Sequence, residues 1–225
     1  KTQKPNILIN FQIVDDKSSN ENLKKLENLI NKSKIDFKII HHNNKEHKEK
    51  ISSKNNQETF GNLSSLLKCF EIAKNDNSDL IYFVEDDYLH YEHSLVDMLD
   101  TYERISSQHK DEIIVCPSDY PFNYMNNEKT SILIGSQQHW RTITKILCTF
   151  MISRNMFQKY IYNFEKNCEE RHDPFEKYIN EILQKEIAIS PIKSLAIHLT
   201  NVNSSYGLSP FIDYKKLWEE NEIDQ

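Results

Sequence analysis

Short apolar runs alternate with amphipathic stretches along this chain. Asn6 to Val14 (NILINFQIV) is mostly apolar and rich in Ile and Val, the pattern of a strand buried on both faces. Asn20 then precedes Glu21, and Leu23, Leu26, Leu29 and Ile30 recur at three- and four-residue spacing, which predicts an N-capped helix with one apolar side. Phe37 to Ile40 reads as a second strand, and the polar, aperiodic stretch His41 to Gln57 as a loop. From Asn62 onward, Leu63, Leu66, Leu67, Phe70 and Ile72/Ala73 form a helical stripe, ended by Asn75-Asp76-Asn77-Ser78. Leu80 to Val84 (LIYFV) is a short buried strand that runs straight into Glu85-Asp86-Asp87.

Beyond the triplet, Ser94 to Ile105 predicts a helix and Glu112 to Cys116 a strand. Ile132 to Gly135 and Thr142 to Ser153 predict two later strands, the second one bent. Met156 to Phe164 and Pro174 to Leu183 predict helices, the latter opened by Asp173 with Pro174 at the first-turn position it tolerates. Ile187 to Gln225 reads as a strand-like piece and then an irregular tail carrying Pro191, Gly207 and Pro210. The alternation implies an α/β fold: a mixed, mostly parallel sheet flanked by helices.

Composition narrows the partners. No Pro/Gly/Ser-rich stretch divides the 225 residues, so the expectation is a single domain, 1–225. A net charge of −6 gives no basic field to draw a phosphate backbone, which disfavours nucleic acid. The longest apolar runs are far too short to cross a bilayer and no signal-like segment opens the chain, so the expected location is cytoplasmic. Cys69, Cys116, Cys148 and Cys168 are widely spaced and read as reduced, buried thiols. His41, His42 and His47, and His90 with His93, lack metal-ligand spacing and read as surface residues. With only Gly61, Gly135 and Gly207, neither GxGxxG nor GxxxxGK[ST] can be assembled, which argues against dinucleotide oxidoreductases and P-loop kinases.

Three acids held at the end of a rigid strand repel one another unless a proton or cation intervenes. Mg²⁺ or Mn²⁺ would resolve the conflict, because hard divalent cations take carboxylate oxygens and bridge to phosphates. The plainer reading is a solvated turn.

The apolar strand ending in Glu85-Asp86-Asp87, preceded by the helix GNLSSLLKCFEIAK and the opening NILINFQIV, resembles the GT-A-fold nucleotide-sugar glycosyltransferases, of the inverting, family-2-like kind. The triplet stands where that family has its acidic DxD-like motif. The resemblance implies a GT-A-like (Rossmann-like) fold with a nucleotide-binding half over 1–100, an acceptor half over 101–198 and a C-terminal tail or lid over 199–225. It implies Asp87 and His198 as ligands of Mn²⁺ or Mg²⁺. Asp15, Asn62, Glu85 and Asp86 would lie at a nucleoside-diphosphate-sugar donor. Asp173 would be the base that takes the acceptor proton, although an Asp before Pro is equally suited to capping a helix.

Asp119, Trp140 and Arg141 would face a glycan or lipid-linked acceptor, Trp offering a flat ring and Arg a partner for phosphate, although ordinary loop roles fit them as well. Tyr206, Phe211 and Trp218 would line the lid. The implied activity is metal-dependent sugar transfer to a hydroxyl acceptor, with room for peripheral membrane association through other domains or partners. A Mg²⁺-dependent phosphate-ester hydrolase and a non-catalytic sugar- or nucleotide-binding module are the alternatives.

Overall fold

The structure is a computed structural model that describes residues 7–33, 35–52, 54–125, 127–200, 202–209 and 212–222. Asn6, Pro210 and Phe211 lie outside the described residues. In chain order the elements are β1 (Phe11–Asp15), α1 (Asn20–Ser33), β2 (Phe37–His41), α2 (Gln57–Asn75), β3 (Leu80–Phe83), β4 (Tyr88–His90), α3 (Ser94–His109) and β5 (Ile114–Val115). They continue with β6 (Ile132–Ile134), β7 (His139–Ile143), β8 (Phe150–Ser153), α4 (Arg154–Lys159), α5 (Ile161–Asn167), α6 (Lys177–Ile182), β9 (Ala188–Pro191), β10 (Ala196–His198) and α7 (Tyr214–Asn221). The chain groups into two compact units: residues 1–78 with 164–172, and residues 79–163 with 173–225.

In the first unit, β1 and β2 pair in parallel, Phe11 opposite Phe37 and Asp15 opposite His41. The strand expected over Asn6 to Val14 is shorter than its apolar run: Ile7 to Asn10 are exposed and form no ladder. Helix α2 begins at Gln57, before the apolar stripe, because the Asn56 side chain accepts the Thr59 N–H at 2.7 Å and caps it. Its Leu63, Leu67, Phe70 and Ala73 are buried, and Phe70 meets Phe164 at a ring separation of 5.1 Å. The stretch predicted as a polar loop includes a 3₁₀ turn at Asn44–His47. Contrary to the surface reading, His42 and His47 are buried, both on the Ser64 hydroxyl at 2.8 Å.

The second unit holds a six-stranded sheet in the order β3-β8-β5-β9-β7-β6, flanked by helices. The sheet is mixed, yet mostly antiparallel where a mostly parallel one was expected. Only β5 and β9 run parallel, and the other four neighbouring pairs are antiparallel. The expected long strand Thr142 to Ser153 is two strands, β7 and β8, in different places of that order. Strand β3, which leads into the acidic triplet, stands at one end of the order. The core is built from Met98, Ile105, Ile113, Val115, Trp140, Met151, Ile189 and Leu195. All four cysteines are free thiols, three of them buried and Cys69 partly so. Among the described residues no helix is long and apolar enough to cross a membrane.

Candidate functional site

The acidic triplet lies in the link between β3 and β4, immediately after a strand made rigid by its pairing with β8. Phe83 opposes Phe150 in that ladder, which brings Thr149 to the strand's end. The Thr149 hydroxyl accepts the Glu85 main-chain N–H at 3.0 Å and lies 3.5 Å from the Glu85 carboxylate. Strand β4 pairs antiparallel with β10, placing Tyr88 opposite His198. Their rings stack at 4.9 Å. The Leu199 N–H donates to the Asp87 carbonyl at 2.8 Å, and this register delivers His198 to the Asp87 side chain.

Asp87 Oδ2 lies 2.9 Å from His198 Nε2 and accepts the Thr200 hydroxyl at 2.5 Å. Asp87 Oδ1 is buried and has no hydrogen-bond partner among the described residues. Burial alone would push the Asp87 carboxyl up, but the His198 and Thr200 hydrogen bonds outweigh it and hold the group below its ordinary value. For His198, burial disfavours the charged ring, yet the hydrogen bond and charge of Asp87 prevail and raise it. The two side chains are therefore held together, with one carboxylate oxygen in reserve.

Two further carboxyls sit within electrostatic range. Burial, and then the charge of Asp87, lift Glu85 from 4.5 to about 7. Glu176, only 8 % exposed, is also raised to about 7, by burial and by the charge of Glu85. The Cys148 thiol donates to Glu176 at 3.9 Å. Among the described residues neither acid forms an ion pair, so near neutrality the two hold on to protons that a solvated carboxyl would release.

Asp86 is exposed. Asp173, assigned as base or cap, is exposed in a bend, and its bond to Pro174 is cis. The helix expected from Pro174 starts at Lys177 instead, with Glu176 at the capping position and no side-chain cap, so Asp173 caps nothing there. Glu176 escaped the sequence reading because it fell inside the helix expected over Pro174 to Leu183.

Asp119 and Arg141 are brought together, Arg141 Nε lying 3.7 Å from Asp119 Oδ1. Asp119 is almost fully buried and accepts the Tyr124 hydroxyl. Trp140 belongs to the core with 0 % exposure, and this removes its ring from the acceptor face assigned to it. Of the lid residues, Tyr206 stacks on Phe122 at 5.4 Å and Trp218 is exposed on α7, a helix where an irregular tail was expected.

In the other unit, Asp15 ends β1, accepts the Ser18 N–H at 3.1 Å and lies 3.4 Å from His41 Nδ1. Its neighbour Asp16 approaches Gly61, one residue before the exposed Asn62: a Cβ on that glycine would sit 3.2 Å from Asp16 Oδ2.

Among the described residues no three His, Cys, Asp or Glu side chains form a group that could hold a metal ion by themselves. Asp87, through its unpartnered buried oxygen, and His198 beside it would offer at most two protein ligands to a cation. That suits Mg²⁺ or Mn²⁺, which are commonly bound through one or two protein ligands plus phosphate oxygens and water. Together the fold and the site define an α/β protein with a compact acid–histidine centre. No family model matches the chain, and no curated protein matches it either.

Proposed function

We propose that the protein is a GT-A-like glycosyltransferase that moves a sugar from a nucleoside diphosphate to a hydroxyl acceptor with inversion. The reading rests on one observation: Asp87 and His198 are paired, with Asp87 Oδ1 unsatisfied, in electrostatic reach of Glu85 and Glu176, both raised to about 7.

Asp87 and His198 would hold a divalent cation, whose charge offsets the negative charge that develops on the departing diphosphate. Glu176 replaces Asp173 as the base. A general base works best with a pKa near the operating pH, a condition Glu176 meets. The acceptor hydroxyl gives its proton to the Glu176 carboxylate while its oxygen bonds to the anomeric carbon. The bond from that carbon to the diphosphate oxygen breaks, and its electron pair leaves with the diphosphate. Thr149, fixed by β8, orients Glu85 beside this centre. The Tyr88 ring holds His198 flat against β4.

The test separates binding from chemistry. Glu176→Gln should retain Mn²⁺-dependent binding of the nucleotide sugar and lose about a hundredfold or more in transfer rate, the usual worth of a general base. Asp173→Asn should transfer at close to the wild-type rate. If the two variants behave the other way round, the base is Asp173. If phosphate esters are cleaved without any acceptor sugar, the hydrolase reading replaces this one.

A further inference from the structure

A second polar centre lies in the same unit as the acid–histidine site. Arg141, on β7, is 8 % exposed and yet lines a small cleft together with Phe122, Asn123, Lys129, Thr130 and Thr142. Its guanidinium lies over the Tyr124 ring, 4.1 Å from the centroid. Its Nε makes no hydrogen bond among the described residues, and the nearest carboxylate oxygen, Asp119 Oδ1, is at 3.7 Å. The other oxygen of Asp119 is taken by Tyr124 and Ser209. The Asp119 charge and Tyr124, which also hydrogen-bonds the guanidinium, hold Arg141 in place, while its Nε lacks a close partner of its own.

The charges around the cleft favour an anion. Lys129 lines it, and Lys145 lies beside it over the Phe122 ring at 4.4 Å. Against these stands Glu128, whose carboxylate accepts the Thr144 hydroxyl. Ring contacts link the cleft to the catalytic centre: Phe122 stacks on Tyr206, which meets Tyr120 at 6.0 Å. The Tyr120 hydroxyl bonds that of Tyr88 at 2.5 Å, and Tyr88 stacks on His198.

We propose that the Arg141 cleft binds an anionic substituent, a carboxylate or a phosphate, carried by the acceptor that receives the sugar. A planar guanidinium pairs bidentately with either group, and flanking lysines add charge. The word acceptor rests on the transferase reading, whereas the anion site does not.

The experiment is calorimetric titration of the wild-type chain, Lys129→Gln and Lys145→Gln with methyl glucuronide, inorganic phosphate and methyl glucoside. These lysines are surface-reaching, so melting curves should show folded variants, and Arg141→Lys serves as a further variant. The expected result is binding of the glucuronide or of phosphate, about tenfold tighter than the glucoside, with a loss of about tenfold in each lysine variant, as for hydrogen bonds to charged groups. Glucuronide binding alone assigns a carboxylate, and phosphate binding assigns a phosphate. Equal affinity for charged and neutral probes, no binding of either anion, or unchanged affinity in the variants would overturn the proposal. Mn²⁺-dependent nucleotide-sugar binding, measured in parallel, should be the same in the lysine variants. Its absence beside intact anion binding would sink the transferase reading and leave the anion site standing.

Discussion

At Glu176 the folded protein raises the carboxyl from 4.5 to about 7 through burial and the charge of Glu85. The sign of the stability effect follows. Between about pH 4.5 and 7 the native state keeps a proton that the unfolded chain gives up, so this group's contribution falls as pH rises through that window. Glu176→Gln has nothing to titrate, and its melting temperature should drop less than that of the wild type between pH 5 and pH 8. A drop of the same size would show that Glu176 is ionised throughout.

The family resemblance assigned Asp87 and His198 to one metal, and in the structure the two side chains meet directly. Glu176 was not legible in the sequence, because the bend at Asp173 and Pro174 delays the helix by three residues and hands the capping position to an acid with no capping bond. Burial misled in the opposite direction at Trp140. A Trp beside Arg looked like a ligand platform, but alternation along β7 turns it into the core and leaves Arg141 on the cleft.

Among the elements, the β6–β7 connection shows why one of three glycines is needed. A Cβ on Gly135 would lie 2.2 Å from Trp140 Cδ1 and Nε1 and 2.9 Å from Thr101 Oγ1. Gly135→Ala should therefore destabilise the fold by roughly 1–3 kcal/mol, the usual range for overpacking, measured by urea denaturation. A loss below the error of the measurement would mean that Trp140 can swing aside.

The β4–β10 pair was harder to foresee than α2 or β3. Helix α2 spans nineteen residues with an apolar stripe, whereas β4 and β10 are three residues each and mix apolar with polar side chains. Their register nevertheless positions His198 on Asp87. Ile197→Pro removes an N–H from β10 and should abolish Mn²⁺-dependent donor binding while the core helices remain folded, as read by calorimetry and circular dichroism.

For the whole molecule, periodicity correctly indicated an α/β protein with a mixed sheet and flanking helices. It did not give strand direction, because an apolar strand of four or five residues looks the same in parallel and antiparallel ladders. The antiparallel majority comes from β6, β7 and β8, which follow one another without an intervening helix. The buried His42, His47 and Ser64 group escaped notice because the two histidines lie in a segment without apolar period and their common partner, Ser64, lies some twenty residues on, within α2.

The central claim is that Asp87 and His198 hold a cation under the diphosphate of a nucleotide sugar. Its most direct test is a thermal-shift screen of UDP-, GDP-, dTDP- and CMP-sugars with and without Mn²⁺, run on the wild type and on Asp87→Asn. The account predicts that at least one nucleotide sugar raises the melting temperature of the wild type only when Mn²⁺ is present, and that Asp87→Asn loses that rise. A rise that is independent of Mn²⁺, one of equal size in Asp87→Asn, or none with any donor would contradict it.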